Sequence, residues 1–336
     1  MLQLAAYLDP NGIPQSVLTS TPALSYLATH RTPTPEDPPT PVTQAEATAA
    51  LRALHRLHLI EHAPDTPHQA VRVHQRTQRA VRDTLDTDQR DSLARTAATA
   101  LVTVWPPVER ATGLAQTLRA NTTTLISHSE GALYRPDLHA VLHRTGRSLG
   151  ESGQVTAARA HFHRVTAESR RRLGPHHPDT LSTGHNPAYW RGEAGDAAGA
   201  AAALAKLLTD RERVLGPDHP STLMTRHNLA RWRARAGDVA GAGIALSELL
   251  TDQLRVLGPD HPHTFTTRHN LAYWRGRAGD AAGAVTGFTA EGIGENQVAM
   301  PQSRPRPRPP HRPLPPGAPR SCRSTATTNS TCGLAR

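Results

Sequence analysis

Aromatic residues make up only 4% of this 336-residue chain, and alanine is abundant. That scarcity disfavours a sandwich or barrel built on large side chains and suits helices packed closely through small ones. Cysteine is nearly missing: Cys322 and Cys332 both lie in the C-terminal tail, so the body has no disulfide and no thiolate ligand. Lys206 is the single lysine against 37 arginines, a ratio that GC-rich coding accounts for more simply than arginine chemistry does. No apolar run approaches the roughly 18–20 residues of a membrane helix. The start, MLQLAAYL, lacks the basic flank and cleavage pattern of a signal peptide. A cytoplasmic protein without a membrane partner is therefore expected. Acidic residues are absent from 301–336, where seven arginines hold +7 of the formal +10, leaving +3 for residues 1–300. The basic balance is a property of the tail and does not make the body a nucleic-acid binder.

What the chain does have is a repeat. LGPHHPDTLSTGHNPAYWRGEAGDAAGA at 173–200 returns as LGPDHPSTLMTRHNLARWRARAGDVAGA at 215–242. It returns again as LGPDHPHTFTTRHNLAYWRGRAGDAAGA at 257–284, and the starts are 42 residues apart both times. A fixed period of this size predicts a stacked array. Gly153-Gln154 falls in phase with Gly195-Asp196, Gly237-Asp238 and Gly279-Asp280, so 137–173 reads as a worn first unit. Each unit predicts two helices. Asp179 and Ser221 are expected as N-caps behind Pro178 and Pro220. Gly195, Gly237 and Gly279 end helix A in the left-handed conformation, and Asp196, Asp238 and Asp280 cap helix B. Pro187 is expected to kink its helix. Trp190, Trp232 and Trp274 read as packing residues, and His219, His261 and His176-His177 as linker packing.

Residues 1–86 read as a smaller helical module. Short helices are expected around Leu2–Leu8 and Gln15–Leu18. Five prolines in Thr32–Pro41 predict an extended loop. A helix opening at Thr43 or Gln44 carries Ala47, Leu51 and Leu54 on one face. Leu59–His62 and Ala70–Val73 read as two strands, and His74–Leu85 as a further helix with Val81 and Leu85 inward. Helices follow over Asp88–Val104 and within Val108–His128.

Helices followed by a two-stranded wing form the winged-helix pattern. LQLAAYLDPNGIP, ALRALHRLHLIE and VRVHQRTQRAVRDTL resemble the winged-helix segment of NB-ARC/STAND signalling ATPases. His74 matches that family's nucleotide-sensing histidine; a capping or core histidine is the alternative. The repeats resemble the tetratricopeptide repeat at Leu229 and Leu271, at Ala188, Ala230 and Ala272, and at Ala200, Ala242 and Ala284. Leu204, Leu246 and Phe288 fill the large helix-B position. The LGPDHP linker and the 42-residue length are most similar to the kinesin-light-chain type, and the whole to actinobacterial NB-ARC–tetratricopeptide proteins. The fold expected is mainly α: an α-solenoid of tetratricopeptide-like helix pairs over 137–290. A winged-helix domain (1–86) and a helical connector (87–136) precede it, and a disordered Pro/Arg-rich tail (291–336) follows.

No Gly-rich turn precedes Lys206, so there is no P-loop. ATP would enter only through an NB-ARC domain absent from the chain, which then reads as a truncated or frameshifted fragment. No catalytic residue, cofactor or metal is expected: the linker histidines recur identically rather than converging on one tetrahedral site, and no nucleophile elbow occurs. The resemblance implies a non-catalytic protein–protein interaction scaffold, the sensor arm of a STAND-type protein, holding a peptide or protein in a groove lined by helix A. Its groove positions carry over to His185, Asn186 and Tyr189, to His227, Asn228, Arg231 and Arg235, and to His269, Asn270, Tyr273 and Arg277. Asparagines can bond an extended backbone and arginines can clamp carboxylates, so an acidic ligand is expected. The alternative is that Asn and His fix one helix against the next. The competing function is a winged-helix DNA-binding regulator with a tetratricopeptide effector domain. Arg52, His55 and Arg56 on the third helix are thin for that role, and nucleic acid is not the expected partner.

Overall fold

The computed structural model describes residues 1–31, 41–129 and 131–279. The expected Pro-rich loop, Asp280, Phe288 and the tail lie outside those residues.

The N-terminal region begins with α1 (Leu2–Ala5), α2 (Gln15–Leu18), α3 (Thr21–Thr29) and α4 (Gln44–Arg56). The strands β1 (Glu61–His62) and β2 (Val71–Arg72) and the helix α5 (Gln75–Asp83) follow. α4 opens as its sequence dictates. Thr43 Oγ1 accepts from the Glu46 amide at 3.2 Å while the Glu46 carboxylate accepts from the Thr43 amide at 2.7 Å, a reciprocal capping box. It ends at Arg56 with Leu57 as C-cap, and the next residue, His58, takes φ +56°. The two strands are shorter than expected and antiparallel, pairing Glu61 with Arg72 and His62 with Val71. Val71 also exchanges both backbone bonds with Ile13, at 2.8 and 3.1 Å. α3 has no counterpart in the sequence reading; Pro22 opens it, and Ala23 and Tyr26 bury its inner face. Leu85 is buried as expected, but Val81 is only half-buried, and Gln78 takes the innermost place on α5. Its amide donates to the Ala5 and Leu8 carbonyls, each at 2.9 Å.

Two long helices, α6 (Thr87–Val104) and α7 (Thr112–His128), lead through a 3-10 turn at Ala132–Tyr134 into the array. One core joins all of this. It runs from Leu4, Leu8 and Val71 through Leu93, Leu101 and Leu118 to Val141, Leu142 and Val165. Asn121, fully buried on α7, donates to the Gly12 carbonyl at 2.8 Å and accepts from the Asp9 amide at 3.0 Å. Glu109 does the same between α7 and the first repeat. Its carboxylate accepts from Trp105 Nε1 (2.8 Å), Arg144 (2.9 Å), Ser148 Oγ (2.9 Å) and Arg119 (3.4 Å). Such a carboxylate is satisfied on both oxygens, the condition under which a buried ionic group is tolerated.

The array consists of α8 (Ala140–Glu151), α9 (Val155–Leu173), α10 (Pro178–Glu193), α11 (Ala197–Leu215), α12 (Pro220–Arg235), α13 (Val239–Val256) and α14 (Pro262–Arg277). α8, α10, α12 and α14 are the helix-A members. Gly153, Gly195, Gly237 and Gly279 all take positive φ, from +82° to +108°. Asp196 and Asp238 cap helix B, accepting from the Gly199 and Gly241 amides at 2.8 and 2.9 Å. Helix A corrects the sequence reading. Its N-caps are His177, His219 and His261, not Asp179 and Ser221. Proline sits at the first helical position, which leaves the residue before it to cap. α10 runs unbroken through Pro187.

Packing in the array is local. Trp190 packs with Ala158 and Phe162, and Trp232 with Leu181, Leu204 and Leu229. Trp274 packs with Leu223, Leu246 and Leu271. The Trp190 and Trp232 indoles lie where a side chain on the preceding helix A would otherwise be. A Cβ on Gly150 would collide with the Trp190 ring, and one on Gly192 with the Trp232 ring. Each unit therefore contacts its neighbours, as a solenoid should.

Candidate partner-binding face

The residues expected to line a groove fall on α10, α12 and α14, and the structure divides them into two sets. The Asn and His residues mostly turn towards the joints between repeats. Asn186 Nδ2 lies 3.3 Å from His143 Nδ1, and Asn270 Nδ2 donates to His227 Nε2 at 2.9 Å. His227 Nδ1 lies 3.0 Å from the Thr267 hydroxyl; with Nε2 accepting, Nδ1 carries the proton and donates. Asn228 breaks the pattern, giving its amide to the Met224 carbonyl of its own helix at 3.0 Å. His185 Nδ1 is buried without a hydrogen-bond partner and its ring stacks on Tyr189 at 6.5 Å. Burial, with Arg211 nearby, lowers the His185 pKa to about 4; burial, with Arg231 and His263 adding, does the same for His227. Both rings are neutral at neutral pH. His269 is half-buried on α14.

The second set forms an accessible rim. Positions four apart on helix A stand one turn above each other. One row across the repeats reads Arg147, Tyr189, Arg231, Tyr273, and the next reads Glu151, Glu193, Arg235, Arg277. At the first unit Arg147 pairs with Glu151 at 2.9 Å. Between α10 and α12, Glu193 is held by Arg231 at 3.1 Å and Arg235 at 3.5 Å. Arg231 lies over the Tyr189 ring at 5.7 Å, and Arg235 over Trp232 at 4.9 Å, close enough for cation–π attraction. On α14, Arg277 reaches the Tyr273 hydroxyl at 3.4 Å, and Tyr273 is 45% exposed. Among the described residues no acid pairs with Arg277.

Sequence reading missed His143, Glu193, Arg147 and Glu151. The 42-residue phase contains the signal: subtracting one period from His185 gives His143, and from Arg235 gives Glu193. His74 is not part of this face. It is exposed, and its Nδ1 accepts from the Arg76 amide at 3.2 Å, capping α5.

Among the described residues no helix is long and apolar enough to cross a membrane. Comparison with curated proteins gives no significant match. Among solved structures, two of a Podosopora anserina protein described as a kinesin light chain with nearly identical TPR-like repeats, one a point variant, are similar to the chain. Each is 23% identical over 60% of this chain and 91% of its own, with TM-scores of 0.46 and 0.45. BtubC (BKLC) from P. vanneervenii is 15% identical over 77% of this chain and 94% of its own, with a TM-score of 0.41. The tetratricopeptide repeat family matches in three consecutive copies, at 140–179, 180–221 and 222–263. Such arrays serve in general as scaffolds that bind proteins or peptides. The phased helix pairs, the capped turns and the stacked indoles are thus those of a tetratricopeptide-repeat solenoid.

Proposed function

We propose that this chain is a non-catalytic interaction scaffold whose helix-A rim takes an acidic peptide or protein segment. One observation carries the reading. Between α10 and α12 an acid, Glu193, sits between two arginines. One period on, the position of Glu193 is taken by Arg235, which itself pairs with Glu193, and those of the two arginines by Tyr273 and Arg277; among the described residues no acid pairs with Arg277. A partner's carboxylate would complete that rung, with Arg able to grip it bidentately. The asparagines are the less suited half of the site, because Asn186 and Asn270 already have histidine partners. The test is fluorescence anisotropy with a labelled Glu-rich decapeptide bearing a free C-terminus, its amidated form, and a Lys-rich control. Preferential capture of the acidic peptides is expected. The Arg235→Glu/Arg277→Glu double variant should lose it tenfold or more, about 1.4 kcal/mol; unchanged binding by a folded variant would end the proposal.

The scaffold reading extends to the sensor arm of a STAND-type signalling protein, with 1–86 as its winged-helix domain, 87–136 as connector and 137–290 as repeats. What supports the winged helix is the three-segment pairing of Ile13, β1 and β2 behind α4. A DNA-binding role for α4 is the second reading, favoured by exposed Arg52, His55 and Arg56. Sequence-selective gel shifts at physiological salt would support it, and salt-labile, unselective binding would exclude it.

A further inference from the structure

Helix A begins in the same way in every repeat. His139, His177, His219 and His261 are the N-caps of α8, α10, α12 and α14. Each ring accepts at Nδ1 from the amide two residues on: Val141 at 3.2 Å, Asp179 at 3.2 Å, Ser221 at 3.1 Å and His263 at 3.1 Å. An accepting Nδ1 carries no proton, so each cap requires the neutral ring with its hydrogen on Nε2. At His139 that tautomer is independently satisfied, because Nε2 stands 3.0 Å from the Thr99 hydroxyl.

Protonation turns the cap into its opposite. The imidazolium presents a donor to an amide donor, and it puts positive charge at the positive end of the helix dipole. Both effects act in the same direction. The first turns they open are not idle surface: Thr180, Leu181, Thr222, Leu223 and Thr264 in those turns are buried against neighbouring helices.

We propose that the histidine caps make the solenoid acid-responsive, the first turns of α10, α12 and α14 loosening together on acidification. Burial holds the His139 cap of α8 neutral to lower pH. The groups around the caps modulate this without cancelling it. Asp179 Oδ2 lies 3.8 Å from His177 but already accepts from the Leu138 amide at 3.0 Å, and the adjacent His176 contacts Arg213 of α11. Beside His219, Asp218 is taken by Arg255 of α13 at 2.5 Å. His261 has the His263 ring at 5.2 Å and Asp260 next in the chain. His139 faces Arg95 and Asp137.

The buried histidines act with the same sign. Burial lowers the pKa of His139, His185 and His227 to about 4 and also lowers those of His143 and His161. A group depressed in the folded state contributes stability that is complete above the unfolded value near 6.5 and is lost as pH falls towards the folded value.

The test separates the caps from that background. Asparagine caps a helix through Oδ1 and does not titrate. In the full chain, the His177→Asn/His219→Asn/His261→Asn variant and the wild type would be compared by hydrogen exchange at about pH 7.5 and about pH 5.5, corrected for intrinsic rates. Wild-type opening of residues 178–183, 220–225 and 262–267 should rise about fivefold on acidification, the worth of one cap. The variant should show a rise of less than about twofold there. An equal rise in both proteins overturns the proposal. If the triple variant does not fold, His219→Asn alone is read by the NMR amide shift of Ser221; a pH titration of that amide unchanged from wild type overturns it equally.

Discussion

At the scale of single residues, three positions hold more of the structure than their number implies. Trp232 is 1% exposed and fills the joint between the second and third units. Its replacement by alanine should cost about 3–5 kcal/mol in urea denaturation, while Tyr273→Ala on the exposed rim should change stability by under about 0.5 kcal/mol. Gly192 is the other half of that contact. Gly192→Val would drive a branched side chain into the indole and should cost about 2–3 kcal/mol or more. Glu109 is the third. Its carboxylate gathers Arg119 and Arg144, whose side chains are only 11% and 15% exposed. Glu109→Ala would leave both cations without it and should destabilise by about 3–5 kcal/mol. A loss below about 1 kcal/mol would mean that water or Glu151 replaces the carboxylate.

At the scale of elements, the helix pairs were readable because their punctuation is chemical. A glycine at positive φ followed by an aspartate fixes the A–B turn at one position in every unit. Asp238→Ala should therefore lower the thermal or urea midpoint by the equivalent of about 1 kcal/mol, and Asp238→Asn by a few tenths. The start of helix A was misread by two residues because aspartate and serine are the habitual caps, and the histidine before the proline was assigned to the linker. α3 was missed for a different reason. Its exposed face is marked only by Thr21, Ser25 and Thr29, small uncharged residues that set a weak period beside Pro22. On the candidate face, sequence reading placed Arg231, Arg235 and Arg277 on α12 and α14, where they stand on the accessible rim, but it could not tell that Asn186 and Asn270 have histidine partners. Their partners, His143 and His227, are one repeat away, and only the superposition of units brings them within reach. Glu193 was overlooked because the reading looked for what repeats, and the informative rim position is the one that changes sign.

At the scale of the whole described chain, stability is unevenly distributed. The N-terminal module, α6, α7 and the first repeat share one core, whereas later units are held by small successive clusters. Hydrogen exchange in low urea should therefore release α13 and α14 before α6 and α7, as expected when nearest-neighbour contacts alone support an array. Simultaneous release of all of them would show one cooperative unit instead. The strict period has a consequence of another kind. Excising residues 216–257 would join Leu215 to Gly258 and restore the wording RVLGPDHP without a scar. In phase, Trp274 would then stand over Gly192, the counterpart of Ala234 and a more permissive seat, and Glu193 would face Tyr273 and Arg277 in place of Arg231 and Arg235. Unequal recombination between units could thus shorten the gene by one repeat, keep the joints intact, and in the same event rewrite the order of charges offered to a partner.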